Sequence, residues 1–344
     1  MASSDSSELG ARRSAAAGSS WRRQLAGTLF GSRRRQAIGL DGGEDADLDP
    51  ALDPDPGPER PAGVAAGWGV WRALLSNPSA VAGLVLLATF IVLALTAGHL
   101  FPGDPLDMVA APFEWPGTDP QYWLGTDSLG RDVSAGIAHG TRVSLLIGAT
   151  SAGIGLVIGT LVGATGGFFG GVIDDALVRV TELFQTVPSF LLVIVLVAIG
   201  RPSVTTIALA IGIASWPTVA RIVRAEFRSL RQADFVLAAR SQGFGNARII
   251  FGEILPNALP PVIVTASVMV ASAILIESSL SFLGMGDPNV VSWGGMIGTG
   301  RDSLRTAWYL TAVPGAAIVL AVLALNLLGD GLNDALNPRL RERA

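Results

Sequence analysis

Beyond residue 80 the chain alternates six apolar runs with short charged segments, and that alternation predicts its architecture. The runs cover residues 81–98, 143–173, 183–200, 202–220, 254–276 and 306–329. A helix needs about 20 apolar residues to cross a bilayer, so the pattern reads as an all-α polytopic membrane protein with six transmembrane helices. The 143–173 run is uncharged and longer than one span requires, which predicts a tilted helix with a glycine-rich exit. The runs after Gly200 and Glu253 open with prolines, which suit a first helical turn.

Between the fourth and fifth runs lies an arginine-rich island, residues 225–256, and its internal pattern is helical. Asp234 is the predicted N-cap, 235–242 a short helix, Gly243 its left-handed terminator and 247–254 a second short helix. Ala238, Ala239 and Gly243 leave that elbow with little side-chain bulk, a shape that another protein's groove can close over. The island also fits a plain basic loop held on the inner side by the positive-inside rule.

The first 66 residues break the pattern. They are rich in Ser, Ala, Gly, Arg, Asp and Pro without aliphatic clusters, and such composition predicts a disordered tail ahead of a membrane domain at 67–344. No apolar stretch follows the basic residues as a signal peptide requires. Trp68 to Arg72, Trp293 and Trp308 read as anchors at the membrane–water boundary. Gly155, Gly159, Gly163 and Gly167 recur every fourth residue, a stripe that lets a helix of this chain or of a neighbouring subunit approach closely.

Composition narrows the function. Half of the 344 residues are hydrophobic and 15% are charged, too apolar for a soluble domain of this size. All 24 basic residues are arginine. With the N-terminus inside, 19 arginines face the cytoplasm and five the exterior, so both ends and the 225–256 loop are placed inside. Without lysine there is no Walker A loop, so an ATP engine, if used, belongs to another polypeptide. Cysteine is absent, and His99 and His139 lack metal-site spacing, so both read as helix-end or interfacial residues.

Few ionisable groups approach the spans. Glu182 and Arg221 fall near the inner ends of adjacent runs, where they either pair across a gate or reach water. Glu277 falls near the outer end of the fifth run, and Asn326 in the sixth is suited to bonding a neighbouring helix or a substrate. A stand-alone secondary transporter or channel usually places several charges deep in its spans, whereas the centres of these six carry none. A membrane enzyme has no supporting cluster of catalytic residues.

Ala238-Ala239, Gly243 and Ile254-Leu255-Pro256 resemble the "EAA" loop of the membrane subunits of ABC importers. Leu237 stands where that family has glutamate, which removes a capping-box partner for Asp234 and shifts docking towards apolar contacts. Residues 123–133 (WLGTDSLGRDV), 277–286 (ESSLSFLGMG) and 325–340 (LNLLGDGLNDALNPRL) resemble the C-type permease subunit of dipeptide/oligopeptide importers, a branch that includes nickel importers. The resemblance runs from about Trp68 to Leu340.

The resemblance implies a type I importer permease fold in a bacterial cell membrane, half of a pathway for peptides or, alternatively, nickel or another small solute. It implies a second homologous permease, one or two ABC ATPase subunits and an extracytoplasmic substrate-binding protein as partners, with the lipid bilayer around them and no nucleic acid. No cofactor is expected on this chain, and ATP and Mg belong to the ATPases. The implied coupling residues are Asp234, Phe235, Leu237, Ala238, Ala239, Arg240, Gly243, Gly245, Leu255 and Pro256, and the external motif is Gly125, Thr126, Asp127, Gly130, Arg131 and Asp132.

Overall fold

A computed structural model of the chain describes residues 67–336. The expected tail at 1–66 and the extreme C-terminus lie outside the described residues.

The described residues form α1 (Gly67–Ser76), α2 (Pro78–Leu100), α3 (Val133–Phe169), α4 (Gly171–Thr186), α5 (Ser189–Gly200), α6 (Val204–Leu230), α7 (Asp234–Ser241), α8 (Asn246–Phe282), α9 (Trp293–Gly300) and α10 (Tyr309–Leu336). Five of these, α2, α3, α6, α8 and α10, are long and apolar enough to span a bilayer. The third expected span, at 183–200, is broken rather than one straight helix. Its run begins within α4, which meets α5 at an 82° bend. The break falls at Val187-Pro188, and Val187 is extended (φ −88°, ψ 127°), as the residue before a proline is pushed to be.

Helix starts follow local chemistry. Asn77 caps α2, its side chain accepting from the Ser79 and Ala80 amides, with Pro78 at the first position. Asp132 caps α3 through the Ser134 amide at 2.7 Å. Ser203 caps α6 through the Thr206 amide at 3.1 Å. Glycines 170 and 171, both at positive φ, end α3 and turn the chain into α4, which confirms the glycine-rich exit.

The glycine stripe of α3 faces α6 of the same chain. A β-carbon on Gly159 would meet the Trp216 carbonyl oxygen at 2.7 Å, and one on Gly163 would meet Val223 Cβ at 2.9 Å. One on Gly167 would meet Phe227 Cβ at 2.6 Å. With no side chain in the way, the two backbones touch, and the open choice between intramolecular and inter-subunit packing resolves to the former along these positions. A second close approach joins α2 to α10, where a β-carbon on Gly83 would meet the Ala324 carbonyl oxygen at 2.8 Å.

The helix α9 corrects an expectation. Trp293 is fully buried rather than interfacial, packed edge-to-face against Phe90 at 5.5 Å, with its indole N–H donating to the Ile137 carbonyl at 3.3 Å. Helix α9 turns inward because its glycines let it lie on the C-terminal end of α8: a β-carbon on Gly294 would collide with Ser278. Trp308, by contrast, is 56% exposed.

Candidate functional site

The 225–256 island forms an elbow seated on the C-terminal ends of α3 and α6. Helix α7 begins at Asp234, with Ala233 as N-cap, so the expected Asp234 cap is corrected: its side chain makes no capping bond. It sits in the first turn, where a carboxylate favours the positive end of the helix dipole. Gly243 is the expected left-handed terminator at φ +80°. Its amide donates to the Arg240 carbonyl at 2.9 Å and the Phe244 amide to the Ala239 carbonyl at 3.1 Å, the two bonds of a Schellman motif.

The expected second short helix at 247–254 is not separate. Starting after Gly245, the chain runs through one π-helical stretch, Ile249–Ile254, directly into the long apolar part of α8. The wider turn accommodates Pro256, which has no amide to offer, so the proline continues the helix instead of breaking it.

Two faces of the elbow differ. Val236 and Ala239 point down into a cluster with Phe168, Phe227, Ile249 and Ile254. Ala239, expected on the docking surface, is therefore part of the floor at 5% exposure. Leu237, Ala238, Arg240, Gly243 and Gly245 are exposed, while Phe235, Leu255 and Pro256 are half-buried. Leu237 and Arg240 border a groove with Phe168, Phe169 and Arg231, and the Arg240 guanidinium lies 5.6 Å from the Phe168 ring. Arg231 Nη1 donates to the Phe168 carbonyl at 2.9 Å, tying α6 to the end of α3.

Beside the elbow, Glu182 and Arg221 do not make the pair that is one of their two readings, and both are exposed. Both residues line one cavity of about 250 Å³ between α3, α4 and α6, but no ion pair joins them. The carboxylate that closes this corner is Asp174, held by Arg224 through two hydrogen bonds, Nε to Oδ1 at 2.5 Å and Nη2 to Oδ2 at 2.7 Å. Sequence reasoning missed it because 50 residues separate the partners and Asp174 resembles any acid in a short connection.

At the other end of the bundle, Glu277 is 1% exposed and buried among hydroxyls. Ser281 donates to it at 2.7 Å, and Ser144 and Ser278 at 3.4 Å. Ser144 also accepts from the Trp293 amide at 3.4 Å, so Glu277 fastens α8 to α3 and α9 inside the fold. Asn326 is exposed on α10, with no hydrogen bond among the described residues.

The external motif is a knot in front of α3. Thr126 is fully buried and bridges to Asp132, and the Asp127 carboxylate accepts from the Leu129 and Arg131 amides at 2.8 and 2.9 Å. Gly125 and Gly130 sit at φ +78° and +76°, each so close to a crossing strand of chain that a β-carbon would run into the Glu114 or Ala110 carbonyl. The Tyr309 hydroxyl is shared between the Glu114 and Thr126 carbonyls at 2.9 and 2.8 Å, pinning the knot to α10. Tyr309→Phe is therefore expected to cost about 1–2 kcal/mol, read as a lower melting temperature of the detergent-solubilised protein, because the Thr126 carbonyl loses its hydroxyl donor while the Glu114 carbonyl keeps the Thr126 amide at 3.1 Å.

Residues 155–342 match the family described as binding-protein-dependent transport system inner membrane component. Residues 67–116 match the N-terminal TM domain of oligopeptide transport permease C. The di/tripeptide transport system permease protein DppC of Pseudomonas aeruginosa is 38% identical over 280 residues, covering 80% of this chain and 92% of the relative. The dipeptide transport system permease protein DppC of Alkalihalophilus pseudofirmus is 35% identical over 302 residues, covering 85% and 97%. The MetNI methionine ABC transporter, solved in an inward-facing form, aligns with a TM-score of 0.48 at 16% identity, covering 59% of this chain and 96% of that one.

Proposed function

This chain belongs to the binding-protein-dependent transport system inner membrane components, and from that premise we propose that it forms half of a pathway for short peptides. It is a permease subunit of an ABC transporter, not an enzyme, and works with partner ATPase and permease subunits. The peptide reading is supported by relatives that carry di/tripeptide and dipeptide transport in their names.

The finer assembly is part of the proposal. A second homologous permease completes the pathway, ATP and Mg are held by one or two kinds of ATPase subunit, and an extracytoplasmic binding protein delivers substrate. Both termini face the cytoplasm, supported by the 19-to-five division of arginines.

The observation that carries the mechanism is the two-faced elbow. Its floor is locked to α3, α6 and α8 by Phe227, Val236, Ala239 and Ile254, while its outward face ends in Ala238 and Gly243 with no bulk. An ATPase groove closing on that face moves the spans with it, because nothing soft lies between. Leu237, 49% exposed where the resemblance places a glutamate, and the neighbouring Phe169 supply apolar contact.

The test is ATP-dependent peptide uptake by the complete importer in proteoliposomes. Ala238→Arg is expected to lower uptake and binding-protein-stimulated ATP hydrolysis roughly tenfold or more, as loss of a central interface contact does, with membrane insertion unchanged. Undiminished uptake by that variant sinks the coupling assignment. Ala239→Arg is unsuited to the same purpose, since it drives a charge into the floor.

A further inference from the structure

On the face opposite the elbow, a cavity of about 330 Å³ opens between the 125–133 knot and the segment from Ser281 to Arg301. That is at the lower end of the ~300–1,000 Å³ typical of small-molecule pockets. Its charges belong to Asp127, Arg131, Asp132, Asp287 and Arg301. Its apolar wall includes Val133, Val291, Met296 and Leu310.

Those charges are not equally committed. Arg301 is spent on its own wall, donating to the Phe282 carbonyl at 3.2 Å and lying 3.6 Å from Asp302. Asp287 uses both oxygens, accepting from the Val204 amide at 3.2 Å and the Asn289 amide at 3.0 Å. Arg131 is different. Its guanidinium makes no ion pair among the described residues, and its Nε is shielded from solvent without an acceptor. Arg131 as a whole is half-buried, so its unpaired guanidinium is placed to take an anion that enters the cavity.

A bare anion does not suit the site, because three carboxylates outnumber two guanidiniums on its walls. Two of those carboxylates are half-free. Asp127 and Asp132 each accept backbone amides through Oδ1 and leave Oδ2 without a hydrogen bond among the described residues. A ligand that matches must bring one carboxylate, one ammonium and apolar substance between or beside them.

We infer that this cavity is a receiving site for a short peptide with both termini free. Arg131 takes the α-carboxylate, the open oxygens of Asp127 and Asp132 take the α-ammonium, and the side chains lie on the wall formed by Val291, Met296 and Leu310. The inference rests on the peptide reading of the previous subsection and deepens it: the permease itself, not the binding protein alone, reads the ends of the cargo. Bidentate guanidinium–carboxylate geometry gives the site its preference for a free C-terminus.

The test uses the complete importer with L-alanyl-L-alanine, its C-terminal amide and its N-acetyl derivative. Two readouts are taken: calorimetric binding to the importer lacking its binding protein, and uptake with one fixed binding protein in every arm. Wild type is expected to bind the free dipeptide about tenfold or more tightly than the amide, the scale of a lost charged hydrogen bond. Arg131→Gln is expected to bind dipeptide and amide alike and to lose the corresponding preference in uptake. Arg131→Lys, which keeps the charge but not the fork, falls between them.

Assembly of each variant is checked by co-purification of the ATPase subunits. If assembled Arg131→Gln keeps the wild-type preference in both readouts, the site is overturned while the peptide reading stands. If wild type binds dipeptide in an Arg131-dependent manner yet transports no peptide with any binding protein, the peptide reading falls and the site stands. Absence of binding and of uptake in wild type ends both.

Discussion

Gly163→Leu is expected to abolish recovery of folded permease from the membrane. Helix α3 runs against α6 so closely that the first carbon of any side chain at 163 would enter the space of the Ala220 carbonyl, Val223 Cβ and the Arg224 amide. Two of those three are backbone groups, which no rotamer change can move. Overpacking in a core with room to relax costs about 1–3 kcal/mol. Here the obstacle is main chain and three more carbons follow, so the cost lies above that range. Gly153 on the same helix provides the control, because a β-carbon there meets nothing within 4 Å. Gly153→Ala is expected to be neutral or to gain about 0.5–1 kcal/mol from helix propensity. Yield of monodisperse protein and its melting temperature after mild detergent extraction separate the two. Equal recovery of Gly163→Leu and Gly153→Ala would mean that the α3–α6 contact is not the fold's central seam.

Asp174→Ala carries the second largest effect. The Asp174 side chain is 9% exposed and receives two bonds from Arg224, whose own side chain is 30% exposed, while Arg228 stands off at 3.9 Å. Removing one partner of a buried pair costs about 3–5 kcal/mol, because the other charge is left without compensation. The partial exposure of Arg224 places the expected loss near 3 kcal/mol, the bottom of that range. The control is the second half of a double-mutant cycle. Asp174→Ala combined with Arg224→Met removes the stranded charge and is expected to recover about 1–2 kcal/mol. Additive losses in the cycle would mean that the two side chains act independently. The corner they close also borders the cavity of Glu182 and Arg221, so the single variant is expected to lower coupled ATP hydrolysis as well as stability.

The sequence made the spans legible wherever an apolar run exceeded a bilayer's thickness, because that signal comes from the solvent and needs no tertiary knowledge. At 183–200 composition spoke for one span but not for its shape, since the restriction on Val187 before Pro188 breaks the path there by 82°. Trp293 shows the same limit. A tryptophan beside an apolar run reads as an interfacial anchor until the glycines of α9 allow the helix to fold inward. At the site, Gly243 was legible because only a terminator at positive φ explains it in that position, whereas the positive φ of Gly125 and Gly130 emerged only from the structure. The division of the Ala238-Ala239 pair into a lid and a floor was not legible, since adjacent residues on a helix differ by 100° and the sequence does not say which one faces the bundle. Asp174, Tyr309 and the open Arg131 were found only in three dimensions. Each is defined by a partner, or the lack of one, dozens of residues away.

The π-helical stretch at Ile249–Ile254 has a mechanical consequence. Because it welds the elbow to α8 without a break, Asn246–Phe282 is a single rod of 37 residues, about 55 Å at the ordinary helical rise. The elbow and Glu277 with its ring of hydroxyls therefore sit on one continuous helix, near its two ends. Pro260 and Pro261 lie inside that helix, and elsewhere in the described chain the backbone turns at the bend between α4 and α5 and at the Gly170-Gly171 corner.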